Sequence, residues 1–179
     1  MNNKLVYPLL GTIVIIFVSW VILRKVAPRP NTQPKDINTT NINGTLNIIA
    51  PNNVDVTTSF DVILEVDTDG QPVNAVGLDA TYDINRLQII AMDTTESFCE
   101  FYPENRFDNQ TGTITISCGL PSPGFTGTNR LAKITFESVS VGIADITIQP
   151  QSQILLNDGK ATNILTQPPT KQINILGKL

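Results

Sequence analysis

The chain has 179 residues, 41% of them apolar, with 12 basic and 16 acidic side chains and no histidine. That length suits one ordinary domain with a real core plus a tail, while the missing histidine removes Ser-His-Asp triads, Cys-His dyads and His-ligated zinc or iron, and most hydrolase chemistry with them. From Thr45 onward there are 7 basic and 15 acidic residues, a balance of 7 − 15 = −8 with no basic stripe, which argues against nucleic acid as a partner.

Leu5 to Leu23 (LVYPLLGTIVIIFVSWVIL) carries no charge, and at about 1.5 Å per residue such a helix spans roughly the 30 Å of bilayer hydrocarbon. Tyr7 and Trp20 stand near its ends, with Lys4 before it and Arg24 and Lys25 after it. The apolar run is longer than a signal-peptide core and no small-x-small site follows it, so residues 1–25 are read as an uncleaved transmembrane signal anchor. No cysteine lies nearby, which excludes a lipoprotein. Arg24, Lys25 and Arg29 lean the charge bias against display of the C-terminal part, by about one charge. The exported character of the rest of the chain outweighs it, and the expected localisation is the cell membrane, single-pass, with the C-terminal domain extracellular. Residues 26–44 (VAPRPNTQPKDINTTNING), rich in Pro, Asn and Thr, read as a semi-extended linker with no core of its own.

Beyond the linker, residues 45–179 show a period of two, enriched β-branched residues and regularly spaced turn residues, the pattern of an all-β sandwich. Strands are predicted at Thr45–Ala50, Phe60–Asp67, Val73–Asp83, Leu87–Met92, Gly112–Cys118, Arg130–Val139, Ile143–Gln149, Gln153–Leu156 and Ile173–Leu176. Alternation assigns a core face to Val62, Leu64 and Val66, to Val76, Leu78, Ala80 and Tyr82, to Ile114, Ile116 and Cys118, and to Ala132, Ile134 and Phe136. Asp69-Gly70 and Asp158-Gly159 suit tight hairpins, while Pro121, Pro123, Gly124 and Gly127 break a longer loop.

The loops carry the remaining chemistry. Cys99 and Cys118, the only cysteines, are read as a disulfide that needs an oxidising compartment, the alternative being two buried free thiols. The loop between them gathers Phe98, Phe101, Tyr102 and Phe107 among polar residues, suiting either a sugar or peptide site or a small satellite core. Asp67-Thr68-Asp69-Gly70 has the opening of a calcium loop, but residue 78, where a closing acid belongs, is Leu; a turn is predicted and no metal or cofactor. Trp20 belongs to the membrane segment, and no strip of outward rings suggests a crystalline-polysaccharide surface. Asn38, Asn43 and Asn109 begin glycosylation sequons.

Gly77-Leu78-Asp79-Ala80-Thr81-Tyr82-Asp83 followed by Leu87 resembles the cohesin pattern of a strand ending in Tyr-Asp before a second strand. Gly112-Thr113-Ile114, the run Thr126 to Phe136, Gly142 to Ile146 and Asn157-Asp158-Gly159 resemble later segments of that family, so the likeness covers Thr45 to Leu176. The resemblance implies a nine-stranded jelly-roll β-sandwich, shared with carbohydrate-binding modules, and a place in polysaccharide breakdown or cell-surface attachment. It also implies a binding face for a dockerin-type protein built from Asp79, Thr81, Thr113, Thr115, Lys133, Thr135 and Glu137, the alternative being a solvated sheet face. Ala75 and Gly77 depart from the family, which tends to carry polar side chains there. The expectation is a membrane-anchored extracellular binding module, not an enzyme, for a dockerin-type protein or a polysaccharide. The alternative is a structural subunit of a surface or envelope assembly packing through its sheet faces.

Overall fold

The computed structural model describes residues 42–178. The expected membrane helix at Leu5–Leu23 and all but the last three residues of the expected linker lie outside that range. Among the described residues no helix is long and apolar enough to cross a membrane.

Eleven strands make up the domain: β1 (Thr45–Ile49), β2 (Asn53–Asp55), β3 (Ser59–Asp67), β4 (Val73–Tyr82), β5 (Leu87–Asp93), β6 (Phe101–Asp108), β7 (Thr113–Gly119), β8 (Thr128–Ser138), β9 (Gly142–Ile148), β10 (Gln153–Leu156) and β11 (Thr170–Leu176). They form a four-stranded sheet, β1-β3-β8-β5, and a seven-stranded sheet, β2-β11-β9-β4-β7-β6 with β10 also on β4. All pairs are antiparallel except β2 with β11. β9 and β10 lie end to end along β4, the first opposite Ala80–Tyr82 and the second opposite Val73–Gly77.

The all-β sandwich is as expected, but the strand count of nine is not. β2 is only three residues long, and β6 falls where the sequence predicts a loop, because FYPENRFD does not alternate. An edge strand that overhangs the smaller sheet needs no apolar face, and Pro103 is tolerated there because an edge strand need not donate every backbone bond. The domain also starts slightly earlier than expected, since Gly44 donates to Ile164 O at 2.9 Å and accepts from Thr166 N at 3.0 Å. A Cβ on Gly44 would meet Ile164 side-chain carbons at 2.9 Å, so the chain passes too close there for any larger residue without displacing Ile164.

Every residue assigned to the core by alternation is buried, including Val62, Leu64, Val66, Ile116, Ala132, Ile134 and Phe136 at 0% exposure. Phe136 stacks on Phe60 with centroids 6.0 Å apart and meets Tyr82 edge-on at 5.3 Å, a geometry that favours aromatic pairs beyond their buried area. The Asp69-Gly70 turn has positive φ at both residues, 51° and 73°, but it does not close a hairpin, because β3 and β4 belong to different sheets. Buried Thr68 fastens this crossing: its Oγ1 accepts from Gly127 N at 2.8 Å and its own N–H donates to Gly127 O at 3.0 Å. The carboxylates of Asp67 and Asp69 accept backbone N–H groups, from Asp69 and Asn43 respectively.

Tyr82 closes one end of the core. Its hydroxyl donates to Asn109 Oδ1 at 2.6 Å, and its pKa is pushed up to about 12, by burial first and by the Asp108 carboxylate second. The folded value lies above the unfolded value of about 10. The stability contributed by the neutral phenol is therefore intact below the unfolded pKa and lost as pH rises through the folded one. Denaturation midpoints measured on the alkaline side, with tyrosinate absorbance as the second readout, are expected to fall across that window; a flat profile would contradict a protonated Tyr82 in the fold.

Candidate functional site

Strand pairing places the outward residues of the seven-stranded sheet in rows across the strands. One row runs Thr170, Thr147, Thr81, Thr113 and Asp108 over β11, β9, β4, β7 and β6. The next holds Asp79, Thr115 and Arg106, and the one beyond it Gln153, Gly77, Ser117 and Glu104. The last is Leu155, Ala75, Gly119 and Phe101. The face therefore grades from hydroxyl and carboxylate at one end to small and apolar at the other.

At the apolar end the missing side chains leave a trough of about 540 Å³. Its floor is Ala75, Gly77 and Gly119; Phe101 and Pro103 stand on one side, Leu155 and Gln153 on the other. Phe101 is 53% exposed and its ring tip lies directly on Gly119, where a Cβ would fall 2.0 Å from the ring. A Cβ on Gly77, by contrast, would meet nothing within 4 Å. Glycine within a strand weakens it and often marks a close approach of another group; Gly119 and Gly77 sit on neighbouring strands one row apart, the first under the Phe101 ring and the second open.

The polar part of the face is acidic on balance. Glu104, Asp79 and Asp108 surround Arg106, which is paired with Glu104, and Asp145 adds a fourth carboxylate beside Gln172 on β11. The Gln110 N–H, followed by Thr111, holds the Asp108 carboxyl below the usual carboxylate range, and Arg106 adds to this. Side-chain bonds link neighbouring strands across the rows: Gln149 Nε2 to Thr81 Oγ1 at 2.8 Å, Thr170 Oγ1 to Thr147 Oγ1 at 3.1 Å, and Gln172 Nε2 to Asp145 Oδ1 at 3.1 Å.

The seven residues expected to share a binding face do not. Asp79, Thr81, Thr113 and Thr115 share the face just described, on β4 and β7. Lys133, Thr135 and Glu137 are on β8, in the other sheet, and point away on the far side of the sandwich. There Thr135 donates to Asp61 at 2.7 Å, Lys133 lies between Asp61 at 3.8 Å and Asp93 at 4.0 Å, and Glu137 lies opposite Ser59 and Gln88. Such exposed pairs contribute little to stability. Alternation separates inward from outward along one strand, and it carries no information about which sheet the strand joins.

The four aromatic residues expected to form one loop site are also dispersed. Phe98 stacks on Phe125 with centroids 4.4 Å apart. Tyr102 packs against the core and donates to Leu131 O at 3.3 Å. Phe107 pairs with Ile114 on the core side of the overhanging edge. Only Phe101 reaches the outer face. The disulfide is present, Cys99 to Cys118, with Cα atoms 5.7 Å apart, a separation in the ordinary range for a bridge. Sequence reading missed Gly119 and Leu155 as site residues; the two in-strand glycines, Gly77 and Gly119, were the available signal.

No family profile matches the chain, and no curated protein matches it in sequence. Solved structures do. A cohesin module from a family 33 glycoside hydrolase of Clostridium perfringens superposes with a TM-score of 0.63 at 12% identity, covering 76% of this chain and 99% of that one. The seventh ScaB type I cohesin of Pseudobacteroides cellulosolvens gives 0.59 at 18% identity over 77% and 94% of the two chains. The sixth cohesin of Acetivibrio cellulolyticus scaffoldin B, solved in complex with a dockerin, gives 0.58 at 15% identity over 75% and 99%. The described domain is a β-sandwich with the cohesin fold.

Proposed function

We propose that this chain is a membrane-anchored, extracellular protein-binding module whose outer seven-stranded face takes a dockerin-type partner. The trough carries the reading. Between the Phe101 ring over β7 and Leu155 on β10 lie two strand spacings, about 10 Å, close to the diameter of a helix, so an apolar side chain borne on a helix can enter over Ala75 and Gly77. The excess of carboxylates beyond the trough favours a partner with basic side chains next to its apolar anchor. A solved cohesin of the same fold is in complex with a dockerin, which supports a protein over a polysaccharide. So does the dispersal of the rings, since Phe98, Phe101, Tyr102 and Phe107 form no flat aromatic strip for a sugar chain among the described residues. The charge-free run Leu5–Leu23 supports the anchor and the disulfide supports an oxidising compartment. The chain is read as a binder and not an enzyme, its place on the cell surface set by residues 1–25 and the linker at 26–44.

The test is titration of the chain against a panel of dockerin modules, with a glycan array beside it. Gly77→Val projects a side chain into open trough space at a strand position that favours β-branched residues. It is expected to weaken a dockerin at least about tenfold, the scale of one excluded anchor side chain, while leaving thermal stability unchanged or raised. Glu137→Lys, on the opposite face, is expected to change neither. A glycan hit lost at Phe101→Ala would sink the protein reading, and silence with self-association would favour the structural subunit.

A further inference from the structure

The disulfide sits where it can control the trough. Cys118 directly precedes Gly119, the residue under the Phe101 ring, and Cys99 lies two residues before Phe101. Between them the β6–β7 ladder is thin. Glu100 N donates to Gly119 O at 3.0 Å, the register then slips between Phe101 and Glu104, and Pro103 inside the slip has no N–H to give. Residues 99–103 are thus joined to β7 by the disulfide and by little backbone bonding. The flanking rings are held independently, Phe98 by Phe125 and Tyr102 by Leu131 O, so the segment stays near the fold whatever the state of the cysteines. What the bridge adds is the placement of the one ring that lines the trough.

We propose that the Cys99–Cys118 bridge regulates the trough by holding Phe101 on Gly119, so that the oxidised domain takes its partner and reduction by a dithiol releases it. This rests on the reading of the trough as the binding site. A thiolate of the dithiol attacks the Sγ of Cys99, the less buried of the two residues, and the Cys118 thiolate leaves. The second thiol of the reductant resolves the mixed disulfide. Two electrons and two protons pass to the cysteines, which end as thiols, and the dithiol ends as its own disulfide.

Hydrogen exchange of the full chain, oxidised and after treatment with dithiothreitol, tests the structural half without any ligand. On reduction Glu100, Phe101 and Tyr102 are expected to exchange by local opening, with little dependence on added urea and at least about tenfold faster than the β4–β7 ladder at Leu78–Ala80, which exchanges only through global unfolding. Exchange at Glu100–Tyr102 that after reduction is as slow and as dependent on urea as that of the ladder would overturn the proposal, because the bridge would then act only as a general staple. Binding of a dockerin module found in the panel is expected to weaken at least about tenfold on reduction. Gly119→Ala, made with the bridge intact, pushes the ring off its seat and is expected to weaken binding to a similar extent; unaltered binding by that variant would also overturn the proposal. If no dockerin binds the oxidised chain, the partner reading fails, and the exchange result still decides whether the bridge places Phe101.

Discussion

Replacing both Cys99 and Cys118 with serine is expected to lower the unfolding free energy by about 3 kcal/mol, the unfolded-state entropy that a bridge across 19 residues removes. For a domain of this size that loss corresponds to a fall in Tm on the order of 10 °C. The bridge joins the end of β7, well inside the seven-stranded sheet, to the chain entering the edge strand β6, so its removal frees that stretch of the unfolded chain, and Cys118→Ser adds the cost of a hydroxyl in the core. The effect should therefore appear partly as a steeper dependence on denaturant, because the unfolded ensemble without the bridge exposes more surface. Matched urea titrations of the two proteins under oxidising conditions check this. Equal midpoints would mean that the cysteines contribute only as small buried side chains. The loss leaves most of the core in place, which is why reduction is expected to move Phe101 while the sheets persist.

Asn109→Ala is expected to cost about 2–3 kcal/mol, because it strands two backbone groups of a buried residue. Asn109 lies in the turn between β6 and β7, yet its side chain reaches β5 in the other sheet. Its Oδ1 accepts from Ile89 N at 2.8 Å and its Nδ2 donates to Ile89 O at 2.9 Å, while Oδ1 also accepts from the Tyr82 hydroxyl. The amide therefore occupies the place a further strand would take on the open side of β5 and ties the two sheets together near Tyr82. Asn109→Asp keeps the two acceptor contacts but turns a carboxylate toward Ile89 O, and a smaller loss is expected. Tyr82→Phe alone should cost roughly 1 kcal/mol, and the double variant less than the sum of the two singles, since both remove one shared bond. Chemical denaturation of the four proteins gives the cycle; a cost for Asn109→Ala within the noise would refute the tie. The same bonds engage the amide nitrogen of this sequon, whereas Asn43 is exposed.

The alternation of Val62, Leu64 and Val66, and of Ile114, Ile116 and Cys118, was enough to place these residues in the core. A strand turns its side chains to opposite faces whatever its neighbours are. The resemblance drawn from Gly77 to Asp83 and the later segments led to the right fold. It joined residues of two opposite faces, because Lys133, Thr135 and Glu137 alternate as well as Thr113 and Thr115 do, and their strand pairs with β3 and β5. β6 escaped notice for a related reason: its residues answer to an edge and a disulfide, not to a buried surface.

By itself, then, the sequence determined an all-β domain with no histidine chemistry, its inward residues, its turn at Asp69-Gly70 and the two cysteines available for one bridge. These follow from local rules, in which each residue's neighbours along the chain suffice. Only the tertiary structure decided which strands share a sheet, that Phe101 comes to lie on Gly119, and that Ala75 and Gly77 open a trough. Those depend on pairings between residues far apart in the chain, whose selection rests on the closure of long loops and the packing of two sheets at once.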